Sequence, residues 1–203
     1  MIDETKRYHH GDLRRALIET ALDMLGEGDG WQFTLRELAR RAGVSHTASY
    51  KHFPDKAALL AELAQFGFEQ LRAALLEARP QRPATMRDAF LAMSHAYLRF
   101  GACRPNLYRL MFSADAHASA NARLQERGAA ALEVLVELIA HGQREGWLRN
   151  RDARAQAGGT WAQLHGLVVL TIDGLLTPAT MGQTTPEGAI EVLLEGLQLD
   201  PHV

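Results

Sequence analysis

The stretch TLRELARRAGVSHTASYKHFPDKAALL, from Thr34 to Leu60, constrains the fold of this chain more than any other. Thr34 is a good N-cap residue, and Leu35, Leu38, Ala39 and Ala42 recur at helical spacing beside Arg36, Arg40 and Arg41. Gly43 supplies the permissive backbone that a helix end commonly needs, Val44 can plug into a core, and Ser45 can cap a following helix. The expected outcome is two short helices joined by a tight turn. The second helix, from about Ser45 to Phe53, carries Ser45, His46, Thr47, Ser49, Tyr50, Lys51 and His52 in nine positions, a composition that a core-buried helix would not hold. Phe53 reads as the apolar plug that keeps it in place.

Strand signals are nearly absent and helical periodicity runs almost throughout, so the expected fold is all-α. Asp12 can cap a first helix that ends near Gly26, in the GEGDG run. Asp55, after Pro54, can cap a long fourth helix to about Ala78, with Leu59, Leu63, Phe66, Leu71 and Leu75 in two adjoining apolar rows. Pro80 and Pro83 break the chain there. Beyond them, helices are expected at about 85–103, 105–114, 118–146, 152–175 and 187–199, with a loop between Thr177 and Pro186. This gives a head of three helices over residues 1–56, a linking helix over 55–78, and a helical body over 85–203. The last helix has a stripe of Ile190, Leu193, Leu194 and Leu197 that either docks on its own body or pairs with a second copy; the second copy is the expected partner.

The chain has 203 residues, 47% hydrophobic content and a formal charge of −2, so it has enough apolar material for a sizeable core and is not broadly basic. Yet residues 34–56 hold Arg36, Arg40, Arg41, Lys51 and Lys56 against only Glu37 and Asp55, so any nucleic-acid contact must be a focused patch. The single cysteine, Cys103, excludes an internal disulfide and fits a reducing compartment. Residues 1–12 are polar and do not read as a signal peptide, and no apolar run reaches the ~20 residues of a membrane span. The expectation is a soluble cytoplasmic protein. An enzyme would need a chemistry-bearing constellation. Cys103 with His95 or His165 lacks any surrounding signature, and the Gly26–Gly30 run lacks the lysine and strand of a phosphate loop. His9 and His10 are adjacent and do not share a helix face, and no H-E-x-x-H or C-x-x-C occurs. No catalytic residue, cofactor or metal is expected.

The residues also match a known pattern. YHHGDLRRALIETAL from Tyr8 to Leu22, FTLRELARRAGVS from Phe33 to Ser45 and SYKHFPDKAALL from Ser49 to Leu60 make the chain resemble the TetR-type (tetracycline-repressor-type) family of transcriptional regulators. TWAQLHG, from Thr160 to Gly166, resembles the W-x3-H-G pattern of one ligand-binding subgroup. The resemblance implies a homodimer joined through its C-terminal helices. Two heads would bind a palindromic double-stranded operator, and a small molecule in the body would change the separation of the heads. His46 stands where many relatives have a small residue, so base preference does not carry over.

Within that frame, Ser45, His46, Thr47 and Ala48 lie in the first turns of the reading helix, which in docked motifs face base edges. Thr47 and Ala48 can meet a thymine methyl and His46 a guanine acceptor, with simple exposure of His46 as its alternative. Tyr50 is assigned to a sugar or phosphate over a packing role, since its neighbours are polar. Lys51 and Lys56 are assigned to phosphates, Lys56 in the first turn of the fourth helix, and Thr34 and Arg36 to the backbone from the second helix. His52 is open between phosphate contact and exposure, while Arg40 and Arg41 read as solvated charge. In the body, Phe90, Met93, Tyr97 and Phe100, then Tyr108, Met111 and Phe112 on the next helix, are either plain core or the wall of an effector pocket. Trp161 and His165, four apart on one helix face, are either a packed pair or part of that wall, with Gly166 admitting a close neighbour. Such a pocket suits a hydrophobic or aromatic effector. The rival reading is an all-α interaction module whose body binds a partner protein.

Overall fold

A computed structural model describes residues 10–28, 30–79, 85–118, 122–177, 179, 182 and 185–198, with side chains from residue 13 onward. The helices are α1 (His10–Glu27), α2 (Leu35–Arg41), α3 (His46–His52), α4 (Lys56–Ala78), α5 (Met86–Cys103), α6 (Pro105–Met111), α7 (Ala122–Arg144), α8 (Ala153–Ile172) and α9 (Pro186–Leu197). Among the described residues the one bridge of strand type is an isolated antiparallel pair, Leu148 with Gln198. The fold is all-α, with a helix-turn-helix at its N-terminal end.

The head is built as its caps dictate. Thr34 accepts a bond from the Glu37 backbone N–H while the Glu37 side chain accepts from the Thr34 backbone N–H, a capping box of about 1 kcal/mol. Gly43, at φ +68°, turns the chain after α2 in a region that L side chains avoid. Ser45 and Asp55 cap α3 and α4 through the Ala48 and Ala58 backbone N–H groups. Phe53, 1% exposed, is the expected plug and lies under the Arg14 guanidinium at 5.4 Å.

α4 is the spine: it packs on α1 in the head and on α5, α6 and α7 in the body, and one apolar cluster runs from Leu17 through Leu59, Phe68 and Leu71 to Leu197. Close crossings in the body depend on absent side chains. A Cβ on Gly101 of α5 would stand 2.2 Å from Val168 of α8, and one on Gly67 of α4 would stand 2.6 Å from Met111 of α6. Gly166, expected to admit a close neighbour, faces open space instead.

Several expected boundaries move. α1 begins at His10, so Asp12 sits inside the first turn rather than before it. α6 stops at Met111, where Phe112 and Ser113 bond back three residues to Arg109 and Leu110. α7 occupies 122–144 and α8 ends at Ile172, each followed by a positive-φ glycine, Gly146 and Gly174. α9 stops at Leu197 because the chain turns extended at Gln198, and Arg149 donates its backbone N–H to Leu197. Pro80, Pro83 and Leu199, and half of the expected 177–186 loop, lie outside the described residues. The α9 stripe is also corrected. Ile190, Leu193, Leu194 and Leu197 are all buried against α5 and α8 of their own chain, so they do not await a second copy. Of the described large apolar residues from α8 onward, Val192, 64% exposed, Leu170 and Leu175 are left outside.

Candidate functional site

α3 divides into an inner and an outer side. Ser49 faces inward, fully buried, and its hydroxyl donates to the His46 carbonyl at 2.8 Å, so it is not part of the polar surface that its type suggests. His46, Thr47, Tyr50 and Lys51 are exposed and, spaced three and four apart, share the outer face. His46 and Tyr50 meet edge to face with ring centroids 4.7 Å apart, which holds the phenol upright on the helix. Ala48 and His52 are half-buried at its margins, and Ser45 is used as the cap. Thr34 is likewise used as a cap, its hydroxyl donating to Glu37 at 2.8 Å. That bonding, with Arg40 and Lys56 near, holds the Glu37 carboxyl below the usual range. Arg36 is exposed beside it. Lys56, half-buried at the start of α4, has its Nζ 5.9 Å from the Phe33 ring, which places this cation beside the start of α2. Arg41, by contrast, is paired with Glu27 at 2.5 Å.

The body residues expected to line a pocket separate into three groups. Phe90, Phe100 and Met111 are buried core. Met93, Tyr97 and Trp161 border a small cavity between α4, α5, α7 and α8, together with Phe68, Ser94 and Leu132, whose free space is about 20 Å³, room for about one water molecule. Tyr108 and His165 belong to a chain of hydrogen bonds leading away from it. Trp161 Nε1 donates to Tyr97 Oη at 2.7 Å, the Tyr97 and Tyr108 hydroxyls are 2.8 Å apart, and Tyr108 Oη lies 2.8 Å from His165 Nδ1.

The direction of this chain follows from chemistry. An indole N–H only donates. Burial lowers the His165 pKa and favours the neutral ring. One arrangement gives every hydroxyl an acceptor within the chain: Trp161 to Tyr97, Tyr97 to Tyr108, Tyr108 to Nδ1, with the His165 proton on Nε2. Burial also pushes the Tyr97 hydroxyl up to about 12 and the Tyr108 hydroxyl further still, so both remain protonated donors. Trp161 and His165 thus act less as a direct pair than as the two ends of a tyrosine bridge, and both pack on Phe112, at 6.0 and 4.4 Å between centroids.

Sequence reasoning missed three things here. Ser94 is a buried hydroxyl on the cavity wall, and its i−3 spacing from Tyr97 was the available signal. Asn106, at the start of α6, donates to the Leu25 and Gly28 carbonyls at 2.9 Å each and so ties the end of α1 to the body. Trp31 Nε1 donates to Asp115 at 2.7 Å, a second tie between head and body. Nothing local in the sequence announces the last two, since their partners are 78 or more positions away. Among the described residues no group of three His, Cys, Asp or Glu side chains is placed to hold a metal ion, and no helix is long and apolar enough to cross a membrane. The His9 and His10 side chains lie outside the described residues.

Two family models match the chain: bacterial regulatory proteins of the tetR family over residues 17–63, and the tetracyclin repressor-like C-terminal domain over residues 90–197. Nucleoid occlusion factor SlmA from Shewanella sp. (strain MR-4) is 31% identical over 114 residues, and that from Vibrio cholerae is 30% identical over 115 residues. Each match takes in 56% of this chain, and the chain spans 57% and 58% of the length of these two relatives. A solved structure of a Rhodococcus sp. RHA1 protein of unknown function is 33% identical, with a TM-score of 0.81 over 96% of this chain and 100% of that one. A TetR family transcription regulator from Marinobacter aquaeolei VT8 has a TM-score of 0.66 at 19% identity, over 92% of this chain and 95% of its own, a likeness of fold. With the C-terminal model matching more than half of this chain and the head model matching its helix-turn-helix, the chain belongs to the TetR family of DNA-binding transcriptional regulators, which are not enzymes.

Proposed function

We propose that the protein is a dimeric repressor. Residues 1–56 form its DNA-reading head, the 55–78 helix links it to the body, and residues 85–203 hold the dimer surface and an effector site of the W-x3-H-G kind. The observation that carries this reading is the outer face of α3, where His46, Thr47, Tyr50 and Lys51 stand together, followed by Lys56 in the first turn of α4. In the major groove, Thr47 and Ala48 meet base edges and His46 a guanine acceptor, while Tyr50, Lys51 and Lys56 hold phosphates and Arg36 and the half-buried His52 extend the grip. Thr34 and Ser45 serve this face as caps that fix α2 and α3; the Ser45 hydroxyl, which accepts from Ala48, keeps its proton for a phosphate oxygen, and Thr34 reaches the DNA backbone by giving up its bond to Glu37.

A two-fold dimer reads half-sites ~34–36 Å apart, and the exposed Leu170, Leu175 and Val192 offer the apolar surface for it. A small, largely apolar molecule bound beside Tyr97 and Trp161 releases the operator. The cytoplasm, where the DNA and a reduced Cys103 are found, is its place of action.

The test is selection of bound fragments from a random double-stranded DNA pool, followed by titration of the selected site. A palindromic consensus is expected. Tyr50→Ala and Lys56→Ala should each weaken binding while the fold is retained; Lys56→Ala should also reduce the slope of log affinity against log salt by about 0.9 for each phosphate it neutralises, and Tyr50→Ala should leave that slope unchanged. Unchanged affinity in both variants sinks the assignment. Absence of any enriched sequence, with salt-insensitive binding, favours the partner-binding module instead.

A further inference from the structure

The cavity between α4, α5, α7 and α8 has an uneven polarity. Its wall carries no ionised side chain, and its polar groups number three: the Trp161 indole, the Tyr97 hydroxyl and the Ser94 hydroxyl. The first two are already used, since Trp161 donates to Tyr97 and Tyr97 donates onward to Tyr108. Ser94 differs. It is 2% exposed, and its hydroxyl makes no hydrogen bond to a described residue, although a serine in a helix ordinarily turns to the carbonyl one turn back. No side-chain oxygen in the described residues is both fully sealed and unpaired, so the area that Ser94 retains opens onto the cavity that it lines.

We propose that this cavity is a ligand site for an uncharged, apolar molecule bearing one hydrogen-bond acceptor, a ketone, ester or alcohol oxygen that takes the Ser94 proton. The proposal rests on the effector reading given above and narrows the ligand's class. A carboxylate or an amine is rejected, because a charge placed there has no counter-charge and a single neutral donor does not replace its hydration. The hydrogen-bond chain sharpens the choice: with the Trp161 proton given to Tyr97 and the Tyr97 proton to Tyr108, Ser94 is the wall's one spare donor, so a ligand with several polar atoms leaves some of them unpaired. The free space of about 20 Å³ means that the ligand enters by displacing side chains. Met93 is unbranched and Leu132 only half-buried, and these two give way.

Three probes of equal shape test this on the full-length protein: acetophenone, which has the acceptor; α-methylstyrene, in which a methylene replaces the carbonyl oxygen; and benzoate, which carries the charge. Calorimetry or ligand-observed NMR is expected to show saturable binding of acetophenone, about tenfold weaker binding of α-methylstyrene, and none of benzoate. Ser94→Ala should bring acetophenone down to the α-methylstyrene value, and Leu132→Trp, which fills the cavity from its outer wall, should abolish both, with thermal melts confirming folding. Benzoate binding as well as acetophenone, discrimination that survives in Ser94→Ala, or no binding by any probe each overturns the proposal. Operator titration with the same probes separates the two readings. Ser94-dependent binding that leaves operator affinity unchanged keeps the ligand class and removes the effector role.

Discussion

Removing one oxygen from the middle of the hydrogen-bond chain should cost far more than one ordinary hydrogen bond. In Tyr108→Phe the ring remains in its packed place against Phe100 and Phe112, so no cavity larger than a hydroxyl forms. Two 2.8 Å contacts are lost, to Tyr97 and to His165. The His165 side is half-buried, and water can replace the lost donor at a cost of about 0.5–1 kcal/mol. The Tyr97 side is 4% exposed, so its proton is left without an acceptor and costs about 1–3 kcal/mol. The total is about 1.5–4 kcal/mol, or roughly 3–16 °C in melting temperature for a chain of this length. Urea unfolding at one fixed protein concentration measures it, since a dimer's stability depends on concentration. The double variant Tyr97→Phe/Tyr108→Phe removes the orphaned hydroxyl as well, and should be less destabilised than the sum of its singles by about 1–2 kcal/mol. A Tyr108→Phe cost below about 0.5 kcal/mol, or an additive double variant, refutes the directional chain.

Other consequences can be checked separately. Burial holds the folded His165 below its ordinary 6.5, so the unfolded chain takes the proton more readily; the stability from its neutral ring is full above about 6.5 and is lost as pH falls through the folded value. The difference in urea midpoint between the native protein and His165→Asn should therefore shrink from pH 8 toward pH 5, and a difference that grows instead contradicts the neutral ring. Gly101→Ala puts a methyl 2.2 Å from Val168 and should cost about 1–3 kcal/mol, most of it recovered by adding Val168→Ala; a neutral single variant means that α5 and α8 separate easily. Asn106→Ala strips the donor from the Leu25 and Gly28 carbonyls and should speed amide exchange at the end of α1 ahead of global unfolding, where unchanged protection rules out that tie.

How much was readable beforehand depends on the range of the interaction. The α2 and α4 starts were legible because Thr34 and Asp55 cap helices three residues away, an encoding confined to one turn. Phe53 was legible as a plug because a large apolar residue amid polar ones has one economical place. The outer face of α3 was nearly legible, and the exception is Ser49: its polarity suggested the surface, and its position on the inner side of the helix buried it with an i−3 carbonyl as partner. The α9 stripe failed differently, since four apolar residues at helical spacing look the same whether they cover their own body or another chain's.

The sequence by itself determined the helices, the helix-turn-helix and the polar character of the outer face of α3, because each follows from caps, periods and turn residues within a few positions. The tertiary structure decided what those helices enclose. Tyr97, Tyr108 and His165 span positions 97–165, and only the packing of α5, α6 and α8 sets their hydroxyls and ring nitrogen 2.8 Å apart. The same packing leaves the Ser94 hydroxyl facing a void and puts Gly101 rather than Gly166 at the tight crossing. Periodicity fixes which face of a helix is buried, but a hydrogen bond between helices depends on their relative rotation and height, which no local pattern records.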